Sequence, residues 1–346
     1  MNKKSILNLL KAVASFIFMI GILYYFFGKN SASLQRDLLK VNYIYVFLSM
    51  IFGAIAYVNR GLRWIVLIDA LGYQADKLNS IASVSVGYLT NLFIPRAGEV
   101  SRCSSLNKSD NIPVDKLFGT ILIERVIDLF FLLTGIFIAF LLNYKEIISS
   151  IEVYREIPSI SNTDNESSFS FFLIILFVII IGFIAYIYLS KKKKSKLNIY
   201  KQKVLDFING LKLGFKSIKK IKNKTYFWFH TLSIWIMYFL MTYICFYTIP
   251  ETYNLGPSEA LFLFVLGGIG MVIPSPGGVG SYHVIIMIGL VALQIDNGIF
   301  SLDSYEEYNA AMLFPFIVHT GQTFVAIIMG SLGLLALFFN NKKLNE

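Results

Sequence analysis

Apolar residues along this chain come in unbroken runs, and the runs are long. A helix needs about 20 apolar residues to cross the hydrocarbon of a bilayer. Six segments supply them, at roughly 8–27, 42–59, 117–142, 170–189, 226–249 and 310–339. The last contains Pro315, which predicts a kink or a tilt because proline removes a helical hydrogen bond. Membrane strands would alternate apolar and polar positions in tracts of about ten, so a β-barrel is excluded. The chain opens with Lys3 and Lys4 ahead of its first apolar stretch. That stretch outruns the roughly 7–15 residues of a signal-peptide core, with no small-residue cleavage site behind it. A retained first span is expected.

Two further apolar segments are interrupted. One, about 78–108, breaks at Pro95-Arg96-Ala97-Gly98-Glu99; the other, about 258–295, breaks at Pro274-Ser275-Pro276-Gly277-Gly278-Val279-Gly280. Loop charge decides how they run, because cytoplasmic loops collect Lys and Arg. Residues 190–225 carry thirteen lysines against Asp206, whereas 143–169 and 296–308 are acidic. The lysine segment and both termini are therefore expected in the cytoplasm, and the acidic loops outside. A single full crossing by 78–108 would put the lysines outside, so this segment is expected to enter and leave on the cytoplasmic side. By the same parity 258–295 enters and leaves on the outer side, either as a re-entrant hairpin or as two full crossings.

The predicted fold is an all-α polytopic membrane protein with about six transmembrane helices and two opposed re-entrant, broken-helix hairpins. It forms one membrane domain, 1–346, with a first repeat over 1–142, an outer acidic loop over 143–169 and a second repeat over 170–346. The halves begin on opposite sides, the layout of an inverted repeat, whose paired broken segments point to a midplane binding site. Within 190–225, Leu197, Tyr200, Val204, Phe207/Ile208, Leu211, Phe215 and Ile218 recur at spacings of three and four, with lysines between them. That pattern predicts an amphipathic helix lying in the inner headgroup layer.

Composition agrees with a membrane setting. The chain is 56% hydrophobic and only 15% charged, against about 25% charged in soluble domains. The net charge of +10 would suggest nucleic acid were it spread over a surface. Concentrated in one lysine segment, it points to anionic lipid instead, and no nucleic acid partner is expected. Two distant cysteines, Cys103 and Cys245, and three scattered histidines, His230, His283 and His319, make neither a disulfide framework nor a metal cluster. No metal, cofactor or catalytic constellation is expected, and the protein is not read as an enzyme.

The chemistry lies in charges set among apolar residues: Arg96, Glu99, Arg102, Glu124, Arg125 and Asp128. Each would cost about 2.5–3.5 kcal/mol unpaired at the centre of a membrane helix, so they must pair, reach water or line a cavity. Glu124 and Asp128 are four apart and share a helix face with Thr120, while Arg125 stands three residues from Asp128. Arg96 and Arg102 are the expected counter-charges. At a break beside Gly98, Arg96 can also clamp a phosphate through two hydrogen bonds. Arg60 and Arg63 are read as snorkelling to the inner interface. At the second break, Gly277, Gly278 and Gly280 allow a ligand close to the backbone, and a helix restarting near Ser281 aims its N–H groups at the break. His283 is a candidate phosphate or proton ligand, with a packing role as the alternative. His319, Gln322 and Thr323 share a face, either lining the same cavity or bonding to neighbouring helices.

Four stretches carry a resemblance: Asn59-Arg60-Gly61-Leu62-Arg63-Trp64, the run from Asn91 through Pro95-Arg96-Ala97-Gly98-Glu99 to Arg102, Glu124-Arg125-Val126-Ile127-Asp128, and Pro274 to Gly280. In order and spacing they resemble the lysylphosphatidylglycerol synthase transmembrane region, a family of flippase-like membrane proteins. The resemblance implies movement of a lipid with a charged headgroup between leaflets. It also places Arg96, Glu99, Arg102, Glu124, Arg125 and Asp128 in a polar translocation site. Tyr282-His283 stand where relatives commonly carry a glutamate, which puts a shared headgroup charge or coupling ion in doubt. The chain ends at Glu346 soon after its last span, so the soluble aminoacyl-transferase domain of bifunctional relatives is not expected. The expected function is a flippase of the cell membrane for a phosphate-bearing lipid, either a phospholipid or a polyprenyl-phosphate-linked species. The alternatives are a small-solute or ion-coupled transporter and an accessory subunit of a lipid-modifying or glycosyltransferase system. Expected partners are lipids with anionic headgroups; a second copy of the chain and a soluble transferase are the candidate protein partners.

Overall fold

The computed structural model describes residues 36–145, 221–273, 275–295 and 310–345, and among them the regular structure is entirely helical. In chain order the helices are α1 (Tyr43–Asp69), α2 (Lys77–Phe93), α3 (Gly98–Asp110), α4 (Val114–Leu142), α5 (Lys224–Ile244), α6 (Pro257–Val272), α7 (Ser281–Ala292) and α8 (Ala310–Asn345). Four stretches are long and apolar enough to cross a membrane: Tyr43–Asp69, Val114–Leu142, Lys224–Thr248 and Ala310–Asn340. They correspond to four of the six predicted spans. The other two, 8–27 and 170–189, lie outside the described residues, as do the acidic loop 143–169 beyond Lys145 and the lysine segment 190–225 up to Lys220. Pro315 sits inside α8, which continues through it.

Local chemistry sets the helix ends. Asn42 caps α1 by accepting from the Ile44 N–H at 3.3 Å. Asp76 caps α2 through the Asn79 N–H at 3.0 Å, and Asn223 caps α5 through the Tyr226 N–H at 3.0 Å. These short polar side chains satisfy donors the first turn leaves free. Proline begins α6 at Pro257, and the Glu259 carboxylate accepts from the Gly256 N–H at 2.8 Å.

Two short pairs separate the long helices. Between α2 and α3, Pro95 and Arg96 interrupt the helical ladder, Arg96 holding a φ of 63°, a left-handed conformation uncommon for a residue with a Cβ. The pair then folds tightly upon itself. The Gly98 N–H donates to Asn91 Oδ1 at 2.7 Å, and a Cβ at Gly98 would run into the Gly87 carbonyl and the Asn91 amide. Glycine is needed at this crossing because two backbones touch. Between α6 and α7 the break runs through Pro276 to Gly280, with φ of 60°, 83° and 85° at Gly277, Gly278 and Gly280. The described chain thus reads long helix, short pair, long helix, and then the same order again.

Each short pair has its own core. Trp64, Ile68, Val84, Cys103, Leu106, Leu117 and Ile121 close the first around α1 to α4. Phe246, Ile249, Leu263, Ile286, Leu290, Phe314 and Ile317 close the second around α6 to α8. Helix α5 packs along α1, and α8 along α2, so the helices of the two halves interleave. Trp235 on α5 stacks on Phe131 of α4 with ring centroids 5.5 Å apart and meets Phe264 of α6 edge-on at 5.6 Å. Lipid tails are as apolar as leucine, so such close packing rather than water exclusion holds membrane helices together. The outward side of α4 carries Phe130, Leu133, Phe137 and Leu141, all exposed, as a lipid-facing helix requires.

Gly98→Leu is expected to push α3 off α2, at about 1–3 kcal/mol for overpacking. A lowered melting temperature in detergent, against an unchanged value for a conservative change at exposed Val100, checks this.

Candidate functional site

The charges in the apolar sequence condense into one buried cluster at the meeting of α1, α3 and α4. Arg60 and Arg63, one turn apart on α1, face Glu124 and Asp128, one turn apart on α4. Arg63 donates end-on to Asp128 through Nη1 at 2.8 Å and Nη2 at 3.2 Å, and its Nε lies 3.4 Å from Glu124 Oε1. Arg60 Nη1 donates to the second oxygen of Asp128 at 3.1 Å. Arg102, on α3, donates from Nη1 to Glu124 Oε2 at 2.8 Å. The Arg63 side chain is fully buried, and Glu124 is 2% exposed.

Aromatic side chains complete the walls. Arg102 sits over the Trp64 ring, its guanidinium carbon 3.7 Å from the centroid, a cation–π contact that strengthens when water is excluded. The Trp64 indole N–H donates to Thr120 Oγ1 at 2.7 Å, and that hydroxyl donates to the Leu117 carbonyl at 2.6 Å. Arg60 Nε donates to the Tyr238 hydroxyl at 3.1 Å, which lies 3.1 Å from the Tyr88 hydroxyl. Tyr57 stacks on Tyr88 at 4.1 Å. Close by, His230 Nδ1 meets Asn59 Oδ1 at 2.6 Å.

Two expectations are corrected here. Arg60 and Arg63 do not snorkel; they are the partners of Asp128, because a side chain in mid-helix reaches the facing carboxylate sooner than an interface. Arg96 is not a counter-charge to either acid. Its Nη2 donates instead to the Val272 carbonyl, at the last turn of α6, at 3.2 Å. Arg125 points the other way from Asp128 and pairs with Glu99 through Nε and Nη2, each 2.8 Å from Oε1. That pair is open to the surroundings.

The Arg96 bond joins the two breaks. Gly277 lies against Leu92 of α2, close enough that a Cβ there would stand 3.1 Å from Leu92 Cδ2. The Gly277 carbonyl is 2.9 Å from His319 Nε2 of α8, and the His319 and His283 rings lie 4.8 Å apart. His283 Nδ1 accepts from the Gly280 N–H at 3.4 Å. Ser281 donates to the Gly278 carbonyl at 3.2 Å, and its hydroxyl lies 2.8 Å from that of Ser275. His319 thus bonds to the break itself, while Thr323 bonds back to the His319 carbonyl at 2.9 Å.

With this geometry in place, comparison with known proteins is informative. Residues 9–299 match the family described as the lysylphosphatidylglycerol synthase TM region. The chain belongs to this family. A UPF0104 membrane protein of Methanocaldococcus jannaschii is 32% identical over 133 residues, covering 38% of this chain and 37% of that protein. The chain therefore aligns with little more than a third of that relative's length. No solved structure matches. Family membership and the four apolar helices make this a multi-pass membrane protein.

In this member of the lysylphosphatidylglycerol synthase TM family, the buried cluster brings together residues that the sequence singled out and others that it did not. Glu124, Asp128, Arg102 and Thr120 were legible as polar groups set in or beside apolar sequence. Trp64, Tyr88 and Tyr238 were missed, because single aromatic residues in an aromatic-rich chain carry no pattern. Arg60 and Arg63 had a readable signal: a basic pair three residues apart on one helix, about one turn, as the acidic pair four residues apart is on α4.

Asp128→Asn strips both α1 arginines of their carboxylate and is expected to destabilise the protein by about 3–5 kcal/mol, as broken buried pairs do. Arg125→Ala removes an exposed pair and is expected to cost less than about 1 kcal/mol. Thermal melts of the two variants in one detergent check the contrast.

Proposed function

We propose that this protein moves a phosphate-bearing lipid, a phospholipid or a polyprenyl-phosphate-linked species, between the leaflets of the cell membrane. One observation carries the reading: Arg96 at the first break bonds to Val272 at the second, across 3.2 Å. Two interrupted helices from separate halves of the chain therefore meet. In transporters built from inverted repeats, such a meeting of broken helices marks the substrate site near the midplane. The family description, which names a lipid synthase, supports a lipid as the substrate.

In this reading α2–α3 and α6–α7 are re-entrant hairpins entering from the cytoplasmic and outer faces, the two halves are an inverted repeat, and both termini lie in the cytoplasm. The remaining two spans bring the total to six. The clasp between the breaks is the barrier that must open as a headgroup passes. Arg96 is suited to that exchange: it is exposed and, among the described residues, bonds to one carbonyl, and its guanidinium can trade that acceptor for a phosphate oxygen with a gain in charge. Its left-handed backbone stores strain of the order of 1–3 kcal/mol, which favours a switchable position over a fixed one. The lysine segment draws anionic lipid to the inner face.

Arg96→Ala is expected to abolish movement of a fluorescent phospholipid in reconstituted vesicles while leaving expression and melting temperature intact. Transport at the parental rate would remove Arg96 from the mechanism.

A further inference from the structure

The buried cluster is not electrically balanced. Among the described residues it gathers three guanidinium groups, Arg60, Arg63 and Arg102, against two carboxylates, Glu124 and Asp128. Arginine does not shed its proton in proteins, so one positive charge is left without a partner in a region walled by aromatic rings and aliphatic side chains. A lone charge in such surroundings is expensive.

The unmatched charge has an address. Arg60 places Nε on Tyr238 and Nη1 on Asp128, and Arg63 places Nη1 and Nη2 on Asp128, with Nε in ion-pair range of Glu124 Oε1 at 3.4 Å but without a hydrogen bond to it. Arg102 uses only Nη1. Its Nε and Nη2 are buried and have no hydrogen-bond partner among the described residues. These two atoms form the side edge of the guanidinium, the edge whose parallel N–H groups grip two oxygens of one phosphate or carboxylate at once. The edge is also held still. Glu124 holds one end of the group and the Trp64 ring packs against it, so little freedom remains to be lost on binding.

We infer that the Arg102 edge, above Trp64, is a binding site for a singly charged phosphodiester. One negative charge balances the cluster; a phosphomonoester, doubly charged above its second pKa of about 6, would leave the site negative and is disfavoured. The two-oxygen grip suits the pair of unesterified oxygens of a diester. This deepens the proposed function, resting on it for the lipid as the source of the diester, since a soluble diester carries the same group.

The full chain in neutral detergent, carrying Trp228→Phe and Trp235→Phe so that Trp64 is the only tryptophan and is excited selectively at the red edge beyond tyrosine absorption, reports on the site directly. Dioleoylphosphatidylglycerol is expected to change Trp64 emission and raise the melting temperature, as any ligand of the folded state does. Phosphatidic acid at pH 8.5 and uncharged diacylglycerol are expected to do so at least tenfold more weakly. Glycerophosphoglycerol separates the sources: no response assigns the site to a lipid headgroup, and a response equal to that of the lipid assigns it to a free diester.

Arg102→Gln is expected to weaken the phosphatidylglycerol response roughly 10- to 100-fold, the range for losing charged hydrogen bonds. Arg102→Lys, which keeps the charge but lacks the two-pronged edge, is expected to fall between. Arg102→Gln also leaves two arginines facing two carboxylates. The change nevertheless breaks the buried Arg102–Glu124 pair, so its ligand-free melting temperature is expected to fall. Arg102→Lys, which keeps a cation for Glu124, is expected to hold its ligand-free melting temperature and still lose phosphatidylglycerol response, whereas a purely structural arginine would lose no response. An unchanged lipid response in Arg102→Gln, or phosphatidic acid binding as tightly as phosphatidylglycerol, overturns the inference. Phosphatidylglycerol binding without translocation would leave this site standing and remove the transport reading.

Discussion

Ions inside an apolar helical assembly must find one another, and that requirement organises the first half of this molecule. Asp128 is the hinge of the arrangement: it takes both arginines of α1 at 2.8–3.2 Å and so fixes the rotation of α1 against α4. Glu124, one turn earlier, draws in α3 through Arg102. Three helices are thus keyed by two carboxylates. Apolar packing alone would let them slide or rotate, because one leucine surface fits lipid about as well as it fits another leucine surface.

The keyed helices carry the first break with them. Arg102 lies four residues beyond Gly98, about 6 Å along α3 at 1.5 Å per residue, so whatever holds Arg102 also sets the break. The tight crossing at Gly87 and Gly98 then leaves Arg96 projecting toward the end of α6. On the other side, His319 holds the Gly277 carbonyl from α8. Each break is therefore supported by a different long helix, and the contact between them is light by comparison. A firm frame with a weak central clasp would suit the opening and closing that the proposed transport needs.

The cluster also joins stability to function. A fully balanced ion network would serve only to hold helices together. This one keeps a surplus positive charge beside a two-pronged edge, and in the proposed reading an anionic headgroup answers it. The exposed Glu99–Arg125 pair adds little to either role, since exposed pairs contribute at most about 1 kcal/mol.

From its apolar runs the chain itself determined the helical class and the four spans seen in the described residues, because a bilayer demands about 20 apolar residues whatever the tertiary arrangement. The two breaks were legible for a similar reason: Pro95, Pro276 and the glycines act on their own backbone. The polarity of Glu124 and Asp128 as one stripe followed from helical geometry. Which arginine meets which carboxylate did not, since pairing depends on how α1 rotates against α4, and that is set by contacts some 65 residues apart in the chain. The same holds for Arg96, whose partner is a backbone carbonyl 176 residues away: carbonyls leave no trace in a sequence. Only the folded chain decided that Arg102, and not Arg96, carries the open edge.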